Sequence, residues 1–280
     1  MTTGPSRLPA LLATDLDGTL LRDDHTVSPR TAAALAAAED AGVDVLFVTG
    51  RPAWMLARVA AVLPRHGMVV CNNGAAVVDV RGGTDAPRFV TVDPLAGGTA
   101  LAAVEALRRA VPGTMFAVER THSYHREADF PPVYLTAGSA PRPVEELLDG
   151  DHDDAPVLKV LAHHPALDPA DFLALARGAA GDHVQVTQAL PMALVDLSAR
   201  GVSKGSALAR HCAERGIAAE EVVAFGDMPN DVEMLAWAGT SYAMGNAHPA
   251  ALAAATHRTA DNNGDGVAVV IEHLLATAHR

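Results

Sequence analysis

The chain has 280 residues, long enough for one large domain or two of ordinary size. With 49% hydrophobic, 19% charged and only 4% aromatic residues, it reads as a globular protein whose core is built from Ala, Val and Leu. A net charge of -12 excludes nonspecific attachment to nucleic acid or to an anionic membrane, yet leaves room for a locally positive site that takes a small anion.

Other classes fall away on the same terms. Cys71 and Cys212 sit in apolar stretches with no paired spacing, so they read as buried thiols rather than a bridge or a thiolate zinc site. No run approaches the roughly 20 apolar residues of a membrane span, and the first residues show no apolar segment followed by a cleavage site. A cytoplasmic protein, monomer or homodimer, is expected.

In chain order, Leu11 to Asp15 reads as a buried strand. Ser28-Pro29 starts a helix, as N-cap and first-turn proline, and Gly42 ends it. Val43 to Val48 is a second strand, followed by Thr49-Gly50-Arg51 and a helix from about Pro52 to Leu63; Met68 to Cys71 is a third. Continuous apolar strands alternating with helices indicate a parallel sheet covered on both faces. From about Val77 the pattern changes. Val77 to Val80 and Phe89 to Val92 look like a hairpin, Thr99 to Ala110 a helix, and Met115 to Glu119 a strand. His122 to Pro156 has no clear period and reads as largely irregular. Val157 to Leu161, a helix from Asp168-Pro169, Val184 to Thr187 and Ala193 to Leu197 complete a mixed region. The β-α alternation then resumes with Ser203 to Arg215 helical, Val222 to Phe225 a strand, Asn230 to Trp237 helical, Thr240 to Ala243 a strand, and Val267 to Leu275 a last helix. A domain interrupted by an insertion explains this return.

The chemical signal is Asp15-Leu16-Asp17-Gly18-Thr19, directly after the first strand. Ligands of open parallel sheets bind outside the carboxyl ends of the strands. Gly226-Asp227-Met228-Pro229-Asn230-Asp231 follows another apolar strand and reaches the same rim. Carboxylates converging there would repel one another without a cation, and oxygen ligands suit Mg²⁺ at about 2.1 Å. A single acidic turn also serves as a helix cap. Thr49, Arg51 and Lys204, at other element ends, supply donors for a bound phosphate.

DLDGTL with Asp15 and Asp17, VTGR with Thr49, SKG with Lys204, and GDMPND with Asp227 and Asp231, in that order, resemble the four motifs of the haloacid dehalogenase-like superfamily. Asn72-Asn73-Gly74-Ala75, Met244-Gly245-Asn246-Ala247 and Asp265-Gly266-Val267-Ala268 are similar to secondary signatures of its Cof-type branch, subfamily IIB. The resemblance implies an α/β protein: a Rossmann-like parallel-sheet core of residues 1–82 and 190–280, with an inserted α/β cap of residues 83–189 that selects substrate. It further implies a Mg²⁺-dependent phosphatase. Asp15 would attack phosphorus to form an aspartyl-phosphate, and Asp17 would act as general acid and then base. Mg²⁺ would be held by the Asp15 side chain, the Asp17 backbone carbonyl and Asp227, supported by Asp231, Asn230, Asn73 and Asn246. Thr49, Gly50, Arg51 and Lys204 would hold the phosphoryl group. The implied partner is a small-molecule phosphate ester, either a sugar phosphate or a phosphorylated cofactor such as flavin mononucleotide or pyridoxal phosphate. Arg120, His122, His125 and Arg126 are candidate substrate contacts in the insertion. A phosphomutase would use the same aspartates, and a binding protein without turnover would keep the same fold.

Two further motifs match on paper. Asp261 to Gly266 with Glu272 satisfies an EF-hand calcium loop, against which Val267 to Leu275 already reads as a helix. Gly201-Val202-Ser203-Lys204-Gly205 fits the elbow of a serine hydrolase using Ser203, a reading that leaves the acidic turns unexplained. The 13 histidines form no zinc set: His163-His164 are adjacent, and His122 with His125 lacks further ligands.

Overall fold

The computed structural model describes residues 8–62, 64, 65, 67–133, 140–149 and 155–278. Residues 134–139 and 150–154 of the irregular stretch, the expected helix end at Leu63 and the first seven residues lie outside the described residues. The chain forms two compact units, Met1–Val90 with Lys204–Arg280, and Thr91–Ser203.

The first unit opens with β1 (Leu11–Thr14), α1 (Pro29–Asp40), β2 (Asp44–Val48), β3 (Met68–Cys71), β4 (Ala76–Asp79) and β5 (Arg88–Val92). The second holds α2 (Gly97–Ala110), β6 (Met115–Arg120), β7 (Tyr124–Arg126), α3 (Val144–Leu148), β8 (Val157–His163), α4 (Pro169–Ala180), β9 (Gln185–Thr187) and β10 (Leu194–Ser198). The chain then returns through α5 (Lys204–Arg215), β11 (Val222–Gly226), α6 (Val232–Trp237), β12 (Thr240–Ala243), α7 (Pro249–Ala254), β13 (His257–Arg258) and α8 (Gly266–Ala278).

The first unit's sheet runs β13-β12-β11-β1-β2-β3-β4-β5. All pairs from β13 to β3 are parallel, and β4 is antiparallel to β3. β1 and β11 are buried at every position, as strands covered on both faces must be. Strand order reverses at β1, with β2 on one side and β11 on the other, which makes the carboxyl end of β1 the topological switch point. α1 starts as its residues dictate: the Ser28 hydroxyl accepts from the Thr31 N–H at 3.0 Å, Pro29 follows, and Gly42 ends it at φ +84°.

Three expectations need correction. The helix after Pro52 is a 3-10 helix over Ala53–Val62. Ala53, Leu56 and Val59 are each about 1% exposed or less, so every third residue faces inward, the period of a three-residue turn. β5, expected within the insertion, extends the first unit's sheet beside β4. The units divide at Val90/Thr91 and Ser203/Lys204 rather than at 82/83 and 189/190, because β10 pairs with β8 and β9 and so belongs with the insertion.

The second unit is a five-stranded antiparallel sheet, β7-β6-β8-β10-β9, with α2, α3 and α4 packed on it. Alternation sorts its two faces. Phe116, Val118, Val160, Ala162, Val195 and Leu197 join the helices in one apolar core. Glu119, Lys159 and Asp196, one residue out of phase, point the other way and are also buried. The irregular stretch contributes more structure than its sequence suggests, since β7 and α3 both fall within it. Among the described residues, no helix is long and apolar enough to cross a membrane.

Candidate active site

Four adjacent parallel strands end in polar side chains. Asp15 follows β1, its N–H still donating to the Phe225 carbonyl at 3.1 Å, and Asp227 follows β11. Thr49 follows β2 and Asn72 follows β3. Lys204, at the start of α5, reaches across to this rim: its ammonium donates to Asp15 Oδ1 at 2.6 Å and to Asp231 Oδ1 at 2.7 Å. Lys204 is 1% exposed and Asp231 is fully buried, so the contact is shielded from water.

Asp15, Asp227 and Asp231 each bring a carboxylate oxygen within 4.8 Å of the others, a grouping that could hold a metal ion. Their electrostatics fit that use. Burial raises the Asp15 carboxyl well above its ordinary range, opposed by Lys204 and reinforced by Asp231, Asp227 and Asp17. Burial and then the Asp231 charge push Asp227 up to about 7. Lys204 is raised even though burial works to lower it, because Asp15 and Asp231 outweigh the desolvation. One buried ammonium thus faces three buried carboxylates, and the surplus of negative charge suits a divalent, oxygen-liganded cation. Asp231 is already engaged, since its Oδ2 accepts the Asp227 and Met228 N–H groups at 2.9 and 3.0 Å. Asp227 accepts from the Thr19 hydroxyl at 2.9 Å. Gly18 makes the fit possible: at φ +74°, a Cβ there would lie 2.3 Å from Asp227 Oδ2.

Thr49 is fully buried, and its hydroxyl oxygen accepts the Arg51 N–H at 3.0 Å. Gly50 lies where a Cβ would come within 3.0 Å of Asn73 Oδ1, and that oxygen accepts from Asn230 Nδ2 at 2.9 Å. Asn72 and Asn73 both take left-handed backbone, φ 51° and 54°, which asparagine tolerates better than most residues. Asn246 donates to the Gly18 carbonyl at 2.8 Å. The structure therefore gathers Asp15, Asp17, Thr49, Gly50, Asn73, Lys204, Asp227, Asn230, Asp231 and Asn246 around one strand-end rim of the first unit.

Arg51 is placed differently from expectation. Its guanidinium grips Asp17 in a bidentate pair, Nε to Oδ2 at 2.7 Å and Nη2 to Oδ1 at 2.5 Å. It is 7% exposed, whereas the Asp17 side chain is 36% exposed. His25, absent from the sequence reading, has Nδ1 at 3.8 Å from Asp17 Oδ1; it comes there through a turn in which it adopts φ 62°. In the second unit, Arg120 is buried and donates to the Leu147 carbonyl at 2.9 Å and to the Ala155 carbonyl, and Arg126 donates to the carbonyls of Glu127, Ala128 and Phe130. Both guanidiniums donate to local backbone carbonyls. His122 is exposed and His125 partly buried.

In the calcium-like loop, Asp265 accepts from Arg22 at 2.8 Å, Asp261 accepts from the Gly264 N–H at 2.6 Å, and α8 begins at Gly266. Glu272 pairs with Arg30. Ser203 is 3% exposed. His163 Nδ1 lies 2.8 Å from the Ala193 carbonyl, and His164 Nε2 lies 3.3 Å from that of Pro112. Cys71 and Cys212 are free and buried, and burial raises the thiol of each, Cys212 to about 11.

Comparison with known proteins agrees with this geometry. A family model for haloacid dehalogenase-like hydrolases matches residues 12–271. The chain is 31% identical over 279 residues to the pyridoxal phosphate phosphatase YbhA of Escherichia coli (strain K12), covering 95% of this chain and 98% of that protein. It is 29% identical over 277 residues to the 5-amino-6-(5-phospho-D-ribitylamino)uracil phosphatase YitU of Bacillus subtilis (strain 168), covering 96% and 98%. Among solved structures, a haloacid dehalogenase-like hydrolase from B. subtilis shares the fold with a TM-score of 0.78 at 24% identity, covering 95% of this chain and 99% of that one. The phosphatase BT1666 from Bacteroides thetaiotaomicron does so with a TM-score of 0.76 at 22% identity, covering 98% and 97%. With four strand-end motifs meeting on one rim and a family match over nearly its whole length, the chain belongs to the haloacid dehalogenase-like hydrolases, as an enzyme whose named relatives are phosphatases.

Proposed function

We propose that the protein is a Mg²⁺-dependent phosphatase that hydrolyses small-molecule phosphate monoesters through an aspartyl-phosphate on Asp15. The observation that supports this reading best is the Lys204 ammonium held between Asp15 and Asp231, with Asp227 beside them. Lys204 fixes the Asp15 carboxylate in one orientation and offers positive charge where phosphoryl oxygens would lie. In the first step an Asp15 oxygen bonds to phosphorus as the ester P–O bond breaks, and Asp17 gives its proton to the departing oxygen. In the second, Asp17 takes a proton from water, whose oxygen displaces Asp15 and releases inorganic phosphate.

Asp17 must leave its pair with Arg51 to do this, which frees the guanidinium for the substrate phosphate. Thr49 and Gly50 line the same turn. Asp15, Asp227 and the Asp17 carbonyl would hold Mg²⁺, with Asp231 orienting Asp227 through its backbone. Bound there, Mg²⁺ would offset the carboxylate repulsion and neutralise charge on the phosphoryl group. We read residues 91–203 as the substrate-selecting cap; pyridoxal phosphate and 5-amino-6-(5-phospho-D-ribitylamino)uracil, after the named relatives, and sugar phosphates, after the motif resemblance, are the esters to test first.

The test is phosphate release from a panel of such esters, with and without Mg²⁺, for the wild type and Asp15→Asn. The expected result is turnover that disappears on chelation and falls about a thousandfold or more in the variant. Metal-independent turnover that survives Asp15→Asn would sink the mechanism.

A further inference from the structure

The loop 261–265 copies a calcium-binding pattern, yet its polar groups are directed at another part of the chain. Asn262, 5% exposed, donates its side-chain amide to the Leu21 carbonyl and to Asp23 Oδ1, each at 3.0 Å. Asn263 bonds Asp23 twice: Nδ2 donates to Oδ2 at 2.8 Å, and Oδ1 accepts the Asp23 N–H at 3.2 Å. Asp265 accepts from Arg22 at 2.8 Å. Asn246 links this loop to the rim, its Oδ1 accepting the Asn262 N–H at 3.2 Å while its Nδ2 donates to the Gly18 carbonyl at 2.8 Å.

The gripped segment, 18–23, is the one that leads away from Asp17. Its internal bonds run from Thr19 and Leu21 back to the Leu16 carbonyl and from Arg22 to Thr26, and Asp23 to Thr26 are exposed. Thr19, Leu20 and Leu21 are packed, each at most 2% exposed, so the part that opens at small free-energy cost unless something else holds it is the exposed turn from Asp23 to Thr26. On its other side Asp17 is fixed by β1, so this grip acts with the buried Leu20 and Leu21 to close the second end of the span that bears the carboxylate. Backbone packs closely at both ends of the loop: a Cβ at Gly245 would lie 2.8 Å from the Asp261 nitrogen, and one at Gly266 would lie 2.1 Å from the Ala260 carbonyl oxygen.

We propose that Asn262, with Asn246 as its relay, is a positioning residue that holds the 18–23 segment and thereby sets where Asp17 stands. The kinetic consequence rests on the reading of Asp17 as acid and base; the structural consequence does not. Amide hydrogen exchange over residues 16–27 in Asn262→Ala should rise about tenfold or more, equivalent to about 1.4 kcal/mol of lost local stability, while β1, β2 and α1 keep their protection. In parallel, kcat on an alkyl phosphate, whose leaving oxygen needs a proton, should fall about tenfold further than kcat on p-nitrophenyl phosphate, with KM little changed. Asp23→Ala, at an exposed position, should shift both readouts the same way by less, and it serves in place of Asn262→Ala should that variant not fold. Unchanged exchange across 16–27, or an equal fall for both leaving groups, would overturn the proposal. A wild type without phosphate release but with the expected exchange result would instead count against the catalytic reading and leave the grip established.

Discussion

Gly18 and Lys204 show how much of this site rests on single side chains, or on the lack of one. At Gly18 the positive φ and the nearby Asp227 oxygen act together, since an added methyl group would be strained and would displace that carboxylate. Gly18→Ala should cost about 1–3 kcal/mol of stability, and it should weaken any Mg²⁺-dependent rise in melting temperature far more than core loss alone would explain. A variant that keeps the full Mg²⁺ response would show that Asp227 needs no such room. At Lys204 the effect is electrostatic. Removing the ammonium leaves Asp15 and Asp231 buried without their cation. Lys204→Met should therefore lose about 3–5 kcal/mol in chemical denaturation, with part recovered by adding Asp231→Asn. The strand-end residues were legible because a carboxylate directly after an apolar run has only the rim to occupy. The partners of Asp17 were not legible. Arg51 and His25 reach it through turns whose backbone, with φ 62° at His25, is a product of the folded loop and leaves no mark in residue order.

Elements were readable to the degree that their own burial enforced a pattern. β1, β2, β3 and β11 are buried on both faces and announce themselves as unbroken apolar runs. α4 carries its own start signal, Asp168 accepting from the Ala170 N–H at 2.8 Å ahead of Pro169. α3, α7, β7 and β13 have two to six residues each, too short for either period to be expressed, and the sequence reading passed over them. The segment 53–62 buries every third residue, a stripe close enough to the α-helical one to be taken for it. The buried charges of the second unit also emerge at this scale. Glu119 on β6, Lys159 on β8 and Asp196 on β10 share one sheet face, with Lys159 Nζ at 3.5 and 3.4 Å from the two carboxylates and every side chain at most 2% exposed. Burial works to lower Lys159, but Asp196 and Glu119 raise it. Lys159→Met would leave two like charges buried side by side, and unfolding of this variant should show a loss of about 3–5 kcal/mol, whereas replacing all three residues by apolar ones of similar volume should recover most of it. Equal stability for the single and triple variants would mean that the triad is not electrostatically coupled.

For the whole molecule, the raised carboxyl of Asp227 links folding to pH and to metal. Its value is about 7 in the folded chain against 3.8 for the ordinary carboxyl. Between those limits the folded form keeps a proton that the unfolded form has released, so this carboxyl's contribution to metal-free stability is greatest at the acidic end and is lost as pH rises through about 7. Burial acts on Asp15 in the same direction. A divalent cation competes with those protons, so the rise in melting temperature on adding Mg²⁺ should be larger at pH 8 than at pH 5. An equal rise at both would mean that the ion binds elsewhere.

The amino-acid sequence alone determined the α/β alternation, the interruption of one unit by another, and which residues stand at strand ends, because these follow from apolar periodicity and from short motifs read within a few residues. It also determined the family, through motifs kept in order along the chain. Tertiary structure decided what those residues touch. It assigned β10 to the inserted unit by pairing it with β8 and β9, brought Lys204 to Asp15 across 189 positions, and turned a calcium-like loop onto the segment that follows Asp17. Each of these is a contact between groups remote in the chain, whose energy depends on exclusion of water and on geometry that exists only once the sheet has formed.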